Sequence, residues 1–476
     1  MPRLPQPAID RRIKICIIHM YFNKNEASMN ITREIAARVA NTKFEDLPEH
    51  DVAYSKTLAM SALGAMVAGP HCAGSDIMTR YVKRAGGAGE ASVLGASMKA
   101  PVELAALANG TYAHATEYED DSFPEAVSSY TLFPAILALG EKLGSDGKDV
   151  IAAFVLSYEA QARIGLACRE ARRLGYMVLS LAGSIGCALG GARLLHLDEE
   201  KTANAIAIAA SQASGLGYQT GTMSHIVEMG FSARNGLTAA LLAADGFTGQ
   251  QDILEAPRGL FNIITAGKVE NPEAILGDWG KPFRINEIGI KSYPCCYHLQ
   301  RMIETSVAVR EEEGLSAEDI EAISVEVNAF FPTVVQHEEP HDEIQAQFSL
   351  PHAMAIAMLD PRVLPSSFSK ATIVDPVFAA FRKKVKTVVR EDWGWTPTGW
   401  TPNIVYRLAD GRTIEKRPET AKGQPPALLG FDDCIPKYRG CVEGIVAEAE
   451  IARSIEIMRT LDSCEDVGEL MRAVAV

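Results

Sequence analysis

Several chemistries are missing from this chain. It has no HExxH helix motif, no CxxC pair and no GxxxxGK loop, so zinc hydrolysis and nucleoside triphosphate chemistry have no support. Basic charge is in deficit: 46 Lys and Arg stand against 60 Asp and Glu, a net charge of −14. Such a surface repels a nucleic-acid backbone unless a basic stripe compensates, and the sequence has none. The basic clusters Arg169–Arg173 and Arg382–Lys384 with Lys386 read as solvated helix faces. Cysteine is sparse and odd in number, nine in all with Cys295 and Cys296 adjacent, which fits no disulfide framework and points to a reducing, cytoplasmic compartment. No apolar run reaches the roughly 18 to 20 residues of a membrane span, so no membrane association is expected. The stretch RRIKICIIHMYF, Arg11 to Phe22, is basic then apolar but lacks a small-residue cleavage site. Residues 1–30 are expected to form a loose N-terminal extension.

What is present is material for a large core: 47% hydrophobic and 22% charged residues in 476. At about 100 to 200 residues per domain this length predicts two or three folding units. From residue 31 to 283 the sequence runs helix after helix, rich in Ala, Leu and Gly. Pro101 suits the first turn of a helix through PVELAALANGTYAHATEYEDD, and Asp146 and Asp198 suit the starts of two more. Between 284 and 419 the texture changes. ISVEVNAF alternates like a strand, and IVYRLADGRTIEKRPE is two alternating runs about Asp410-Gly411, a hairpin signal. Helical patterns PHAMAIAMLD and DPVFAAFRKKV lie between them, which predicts an α+β unit. Residues 420–476 read as helical again and are expected to pack back on the first unit. The expected fold is mainly α.

Chemistry concentrates in YAHATEYEDDSF, residues 112 to 123, with four carboxylates in five positions. Continued as a helix, this run puts His114, Glu117 and Asp121 on one face and Glu119 on another. Two carboxylates and an imidazole held close shift one another's pKa values and pass protons. Glu117, Asp120 and Asp121 also have a Mg²⁺-binding helix spacing. No second acidic set faces them in the sequence, so no metal is expected. His225 sits in a glycine-flanked loop before ARNG. KSYPCCYHLQR gathers Lys291, Cys296, His298 and Arg301 around a proline turn, and His352 follows Pro351 at a helix start, where the dipole favours neutral imidazole.

The blocks NGTYAHATEYEDD, FPAILALGEKLG, ARNGLTAALLAADGFTGQQDILE, KSYPCCYH, FSLPHAMAIAMLD and DCIPKYRGC occur, in that order, in a pattern that resembles the MmgE/PrpD family. The resemblance covers the chain from about residue 31 onward. It implies a large all-α domain built from both chain ends, a smaller inserted α+β lid, a homodimer, and an active site in the cleft between the domains. It also implies chemistry on small carboxylic acids without metal or organic cofactor, with members that are dehydratases, decarboxylases or epimerases.

Carried over residue by residue, the family's acid falls on Glu117 and the small hydroxyl or acidic position on Asp121, and Lys291 keeps its place. Val127 and Met177 stand where decarboxylase-like members have histidines. His225 replaces a lysine, His352 a tyrosine, and Gln300 a histidine that His298 precedes by two positions. Fewer basic groups imply a substrate less charged than a tricarboxylate, and Val127 and Met177 imply that part of the pocket faces a hydrocarbon; His114, Cys296 and His298 are expected among the substrate-binding residues. The expected mechanism is proton transfer next to a carboxylate. His225 or His352 acts as a base near neutral pH, Glu117 and Asp121 orient it or act as acid, and Lys291 and Arg301 hold the carboxylate. A lyase, most simply a dehydratase, is the main expectation. An isomerase and a catalytically silent binding protein are the alternatives.

Overall fold

The computed structural model describes residues 30–360 and 362–475, and the expected N-terminal extension falls outside them apart from Asn30. The chain is mainly α. Numbering only the longer helices, α1 is Ile31–Asn41, α2 Glu49–Ala68, α3 Ser75–Ala85, α4 Val102–Ala115, α5 Phe133–Leu143, α6 Gly147–Ala167, α7 Val178–Leu194, α8 Glu199–Ala210 and α9 Met223–Ala244. Further on come α10 Gln300–Glu312, α11 Leu350–Leu359, α12 Phe431–Val442 and α13 Glu448–Arg459. Local signals fix several starts: Asp146 accepts from the Asp149 amide and Asp198 from the Lys201 amide, each capping its helix.

Two hydrophobic cores form. One draws on residues from Ile31 to Ile290 and again from Leu429 to Val474. The other lies within Cys295 to Leu408. The first also holds the short strands β1 (Ala91–Val93), β2 (Met98–Ala100), β3 (Asp120–Ser122) and β4 (Ile288–Ile290). In the second, strands β5 (Ile320–Asn328), β6 (Val385–Arg390), β7 (Asn403–Leu408) and β8 (Thr413–Lys416) make one sheet in the order β6-β5-β7-β8. β5 buries Ile323, Val325 and Val327 in alternation, as its sequence pattern requires. The β7–β8 hairpin turns at Gly411, whose φ of 90° suits glycine. β6 pairs parallel with β5, a strand that the helical look of FRKKV conceals.

Packing corrects three expectations. Helix α6 is long and apolar enough to cross a membrane, contrary to the expectation that no run reaches that length, but 94% of its apolar window is buried inside the protein. The 382–386 cluster is only half a solvated face: Lys383 and Lys386 are exposed, but Arg382 is buried and donates to the Ile373 carbonyl at 3.1 Å, and Lys384 donates to the Ile320 carbonyl at 2.6 Å. His352 is also enclosed, with Nδ1 at 3.3 Å from an Arg382 nitrogen and its ring against Phe368 and Phe378. Burial, with Arg382 beside it, pushes this imidazole down to about 4.

A single helix crossing sets the approach of α4 to α9. The two meet at Gly110 and Gly230, so closely that a Cβ on Gly110 would stand 2.9 Å from the Gly230 Cα, and one on Gly230 would run into the Leu107 carbonyl. Backbone cannot retreat from backbone here. Gly230→Ala is expected to lose about 1–3 kcal/mol by overpacking, read from urea unfolding. Gly440→Ala in α12, where a Cβ meets nothing within 4 Å, should be neutral or gain about 0.4–1 kcal/mol. Equal midpoints for the two variants would contradict the crossing.

Candidate active site

α4 does not continue through the acid cluster. It ends at Ala115, Glu117 takes a left-handed φ of 49°, and the chain leaves as strand β3 (Asp120–Ser122). β3 pairs antiparallel with β4 (Ile288–Ile290), matching Asp120 with Ile290 and Asp121 with Gly289. The strand periodicity of two replaces the helical grouping. Glu119 and Asp121 now share a side, and Asp120 turns away to accept from Ser128 Oγ at 2.9 Å and the Ser129 amide at 2.7 Å.

Because Lys291 directly follows β4, the ladder sets it opposite Glu119 and delivers its ammonium to the side that Glu119 and Asp121 share. Its Nζ lies 3.0 Å from Glu117 Oε2, 2.5 Å from Glu119 Oε1 and 3.7 Å from Asp121 Oδ2. All four side chains are buried. Burial would lower the Lys291 pKa, but the three carboxylates outweigh it and raise it. The carboxylates divide. Burial opposes ionisation of Glu117, yet Lys291 and the neighbouring histidines hold it at about 2. Burial and then the charge on Glu117 push Glu119 up to about 7, and burial pushes Asp121 well above the ordinary carboxylate range despite Lys291.

The helix crossing brings two imidazoles to this group. His114 stands in the last turn of α4 and His225 in the first turn of α9, with ring centroids 4.3 Å apart. Glu117 Oε1 lies 3.9 Å from His114 Nε2 and 3.7 Å from His225 Nε2. On its far side His225 Nδ1 faces Glu228 Oε2 at 3.4 Å, a charge contact too poorly aligned to count as a hydrogen bond, and both atoms lack another partner. Glu228 Oε1 is fixed by the Leu216 amide at 3.0 Å. Burial would lower His225, but Glu117 and Glu228 raise it to about 9. Burial and then the charge on His225 push His114 well below the usual imidazole range. The pair therefore carries one positive charge at neutral pH, on His225. The expectation of a neutral base there is corrected by its two carboxylates.

These groups floor a cavity of about 370 Å³ whose wall also includes Arg172, Met177, Leu179, Cys296, His298, Phe330, Phe348 and Trp395. Of the residues singled out from sequence, His114, Glu117, Asp121, Met177, His225, Lys291, Cys296 and His298 meet here. Val127 does not: it is buried in the helical core, beside Gly165. Arg301 lines a neighbouring cavity instead, stacked on Trp400 and donating to the Trp400 carbonyl at 3.0 Å. His352 is absent from the wall. Gln300 is a turn staple, accepting from the Ser292 and Tyr293 amides and donating to the Tyr293 and Cys295 carbonyls. Three functional candidates lie beyond the motifs. Glu119 is visible only to strand alternation, Glu228 only as the i+3 partner of His225 on a helix, and Arg172 is hidden in a run that looks solvated.

His114, Glu117 and His225 are also the one group among the described residues whose ligand atoms, within 4.8 Å of one another, could hold a metal ion. The Lys291 ammonium on the other oxygen of Glu117 opposes a second cation at that point.

The MmgE/PrpD N-terminal domain matches residues 33–272 and the MmgE/PrpD C-terminal domain residues 293–463. The chain belongs to the MmgE/PrpD family. Its relatives include a cis-aconitate decarboxylase of Aspergillus terreus, 26% identical across 94% of this chain and 96% of the relative. Cis-aconitate decarboxylases of Mus musculus and Homo sapiens are each 24% identical, across 93% of this chain and 93% and 94% of their own lengths.

Removing the buried ammonium tests the electrostatics. Lys291→Met leaves carboxylates without a counter-ion and is expected to lose about 3–5 kcal/mol at neutral pH. In the variant Glu119 and Asp121 rise further above their unfolded values near 4, and Glu117 loses the ammonium that holds it low. Its stability is therefore greatest in acid and falls as pH rises from about 4 toward neutrality. Denaturant unfolding of variant and wild type across that range measures this, and a variant deficit that is constant with pH would contradict it.

Proposed function

We propose that this MmgE/PrpD family member is a lyase that needs no metal or organic cofactor and acts by proton transfer next to a carboxylate of a small di- or tricarboxylic acid. The observation that carries the reading is the separation of proton affinities across one cavity floor, with Glu119 at about 7 and His225 at about 9. Environments that drive two neighbouring groups apart mark acid and base roles. A carboxyl half ionised near neutral pH is a competent base, and an imidazolium a competent acid.

In dehydration, Glu119 takes the proton from the carbon next to the carboxylate, the C–O bond breaks as the double bond forms, and His225 protonates the departing oxygen to give water. In decarboxylation, the bond to the carboxyl carbon breaks, CO₂ leaves, and His225 delivers its proton to the carbon left behind. Glu117 keeps His225 charged, and Lys291 sets the ionisation of Glu117 and Glu119. The α+β unit serves as a lid whose Phe348 ring stands 5.8 Å from the His225 ring, which would exclude water from the reacting end. A cytoplasmic homodimer, implied by the family pattern, belongs to the same proposal.

The decisive experiment is incubation with a panel of small substituted di- and tricarboxylates in D₂O, followed by NMR and mass spectrometry. Loss of water or CO₂ supports the lyase. Deuterium gain at one carbon without fragmentation would make the protein an isomerase, and no change in any acid would favour a silent binding protein. With an active substrate in hand, kcat should rise with pH through about 7, as Glu119 ionises, and fall through about 9, as His225 loses its proton. His225→Gln is expected to lose at least about 10²-fold in kcat and the alkaline limb with it. Dialysis against a chelator should leave the rate unchanged, and a chelator-sensitive enzyme would return the His114–Glu117–His225 group to a metal role.

A further inference from the structure

The charges on the cavity wall are mostly spoken for. Lys291 faces three carboxylates, at 2.5, 3.0 and 3.7 Å. His225 lies between Glu117 and Glu228. Arg173 is largely exposed and pairs with Glu170 at 3.4 Å. Arg172 differs. It sits half-buried on the short helix Arg169–Arg173, over the Phe123 ring at 5.3 Å, and its one polar contact among the described residues is the Pro124 carbonyl at 3.4 Å. No carboxylate pairs with it among those residues. A guanidinium turned into a cavity, stacked on an aromatic face and lacking an anion, has the geometry of a carboxylate receptor. Burial pushes it down to about 10, so it stays charged at neutral pH.

Much of the remaining wall is apolar, with Met177, Leu179, Phe330, Val334, Phe348 and Trp395, and the polar side chains between them, such as Thr220, Thr333 and Gln336, are neutral. A substrate with three carboxylates can give one to Arg172 and bring a second to the Lys291–His225 end. The third would meet either this wall, which offers no further unpaired cation among the described residues, or the carboxyl groups of Glu117, Glu119 and Asp121. Burying an unpaired charge against either is strongly unfavourable.

We infer that the cavity takes an alkyl-substituted dicarboxylate, one carboxylate held by Arg172 and the alkyl group on the Met177–Leu179 and Phe330–Trp395 wall, and that it discriminates against tricarboxylates, cis-aconitate included. The inference rests on the proposal that this cavity is the active site, and it departs from the substrate named for the decarboxylase relatives.

Isothermal titration of the full chain with 2-butylsuccinate and with cis-aconitate tests it. Butylsuccinate is expected to bind at least about tenfold more tightly. Arg172→Gln should weaken butylsuccinate binding by at least about tenfold, with Arg172→Lys recovering part of the loss because charge survives without the planar fork. Unfolding midpoints show whether each variant is folded before it is titrated. Equal or tighter binding of cis-aconitate, unchanged binding by Arg172→Gln, or no saturable heat from butylsuccinate overturns the inference. The readout is binding and not turnover. A failure of His225-dependent chemistry would sink the lyase proposal and leave this ranking standing, whereas a reversed ranking beside intact turnover would sink this one alone.

Discussion

The buried ammonium of Lys291 is the interaction on which the rest of the structure depends. Taking one such ion out of water costs several kcal/mol even after relaxation, and here it is offset by carboxylates that all come from residues 117 to 121. Supplying them requires the left-handed turn at Glu117 and the β3–β4 ladder, so a local break in helix α4 and a pairing between segments far apart in the chain are both held by one charge. Helix α12 joins the same point from the far end of the chain: Lys437 donates to the Tyr118 carbonyl at 2.5 Å and the Lys291 carbonyl at 3.0 Å. One cation cannot keep three adjacent carboxylates ionised in a dry site, so protons return to Glu119 and Asp121. The arrangement that satisfies the buried lysine is thus also the one that poises an acid–base group near neutral pH.

The histidine pair obeys a different constraint. His225 carries the proton although it stands in the first turn of α9, where the helix dipole disfavours a cation, and His114 stays neutral at the end of α4, where the dipole favours one. The dipole contributes at most about 2 kcal/mol at a partly buried terminus, and here two facing carboxylates override it at His225. What makes the pair possible at all is steric. Only glycine at 110 and 230 lets α4 and α9 approach closely enough for the rings to meet, and that meeting adds the charge on His225 to the burial that keeps His114 neutral.

Sequence is legible where local physics decides: the Asp caps of α6 and α8, the Asp410-Gly411 hairpin and the alternation of β5 all stand as their residues dictate. The acid cluster misleads because its helical spacing is locally sound, and the competing strand is chosen by β4, far along the chain. Position in a family pattern puts His352 and Val127 in the site, yet each is enclosed by its own unit's packing. Arg172 shows the reverse error. A basic run on a short helix looks solvated in sequence, and only the packing of Phe123 beneath it turns one of its three arginines inward.

The two halves of the cavity are therefore under unequal constraint. The reacting end is built from buried, mutually ionising groups on α4, β3, β4 and α9, and changing one shifts the proton on its neighbours, so its chemistry is coupled to stability. The opposite wall is built from side chains outside this ionising group, among them Arg172 on Phe123 and Trp395 on Phe330. Met177 precedes α7, Arg172 ends a short helix, and Trp395, 43% exposed, projects from a loop. Substitution there alters the charge and shape offered to a substrate without unpairing a buried ion. A fold divided in this way can keep one proton-transfer apparatus while its substrate changes.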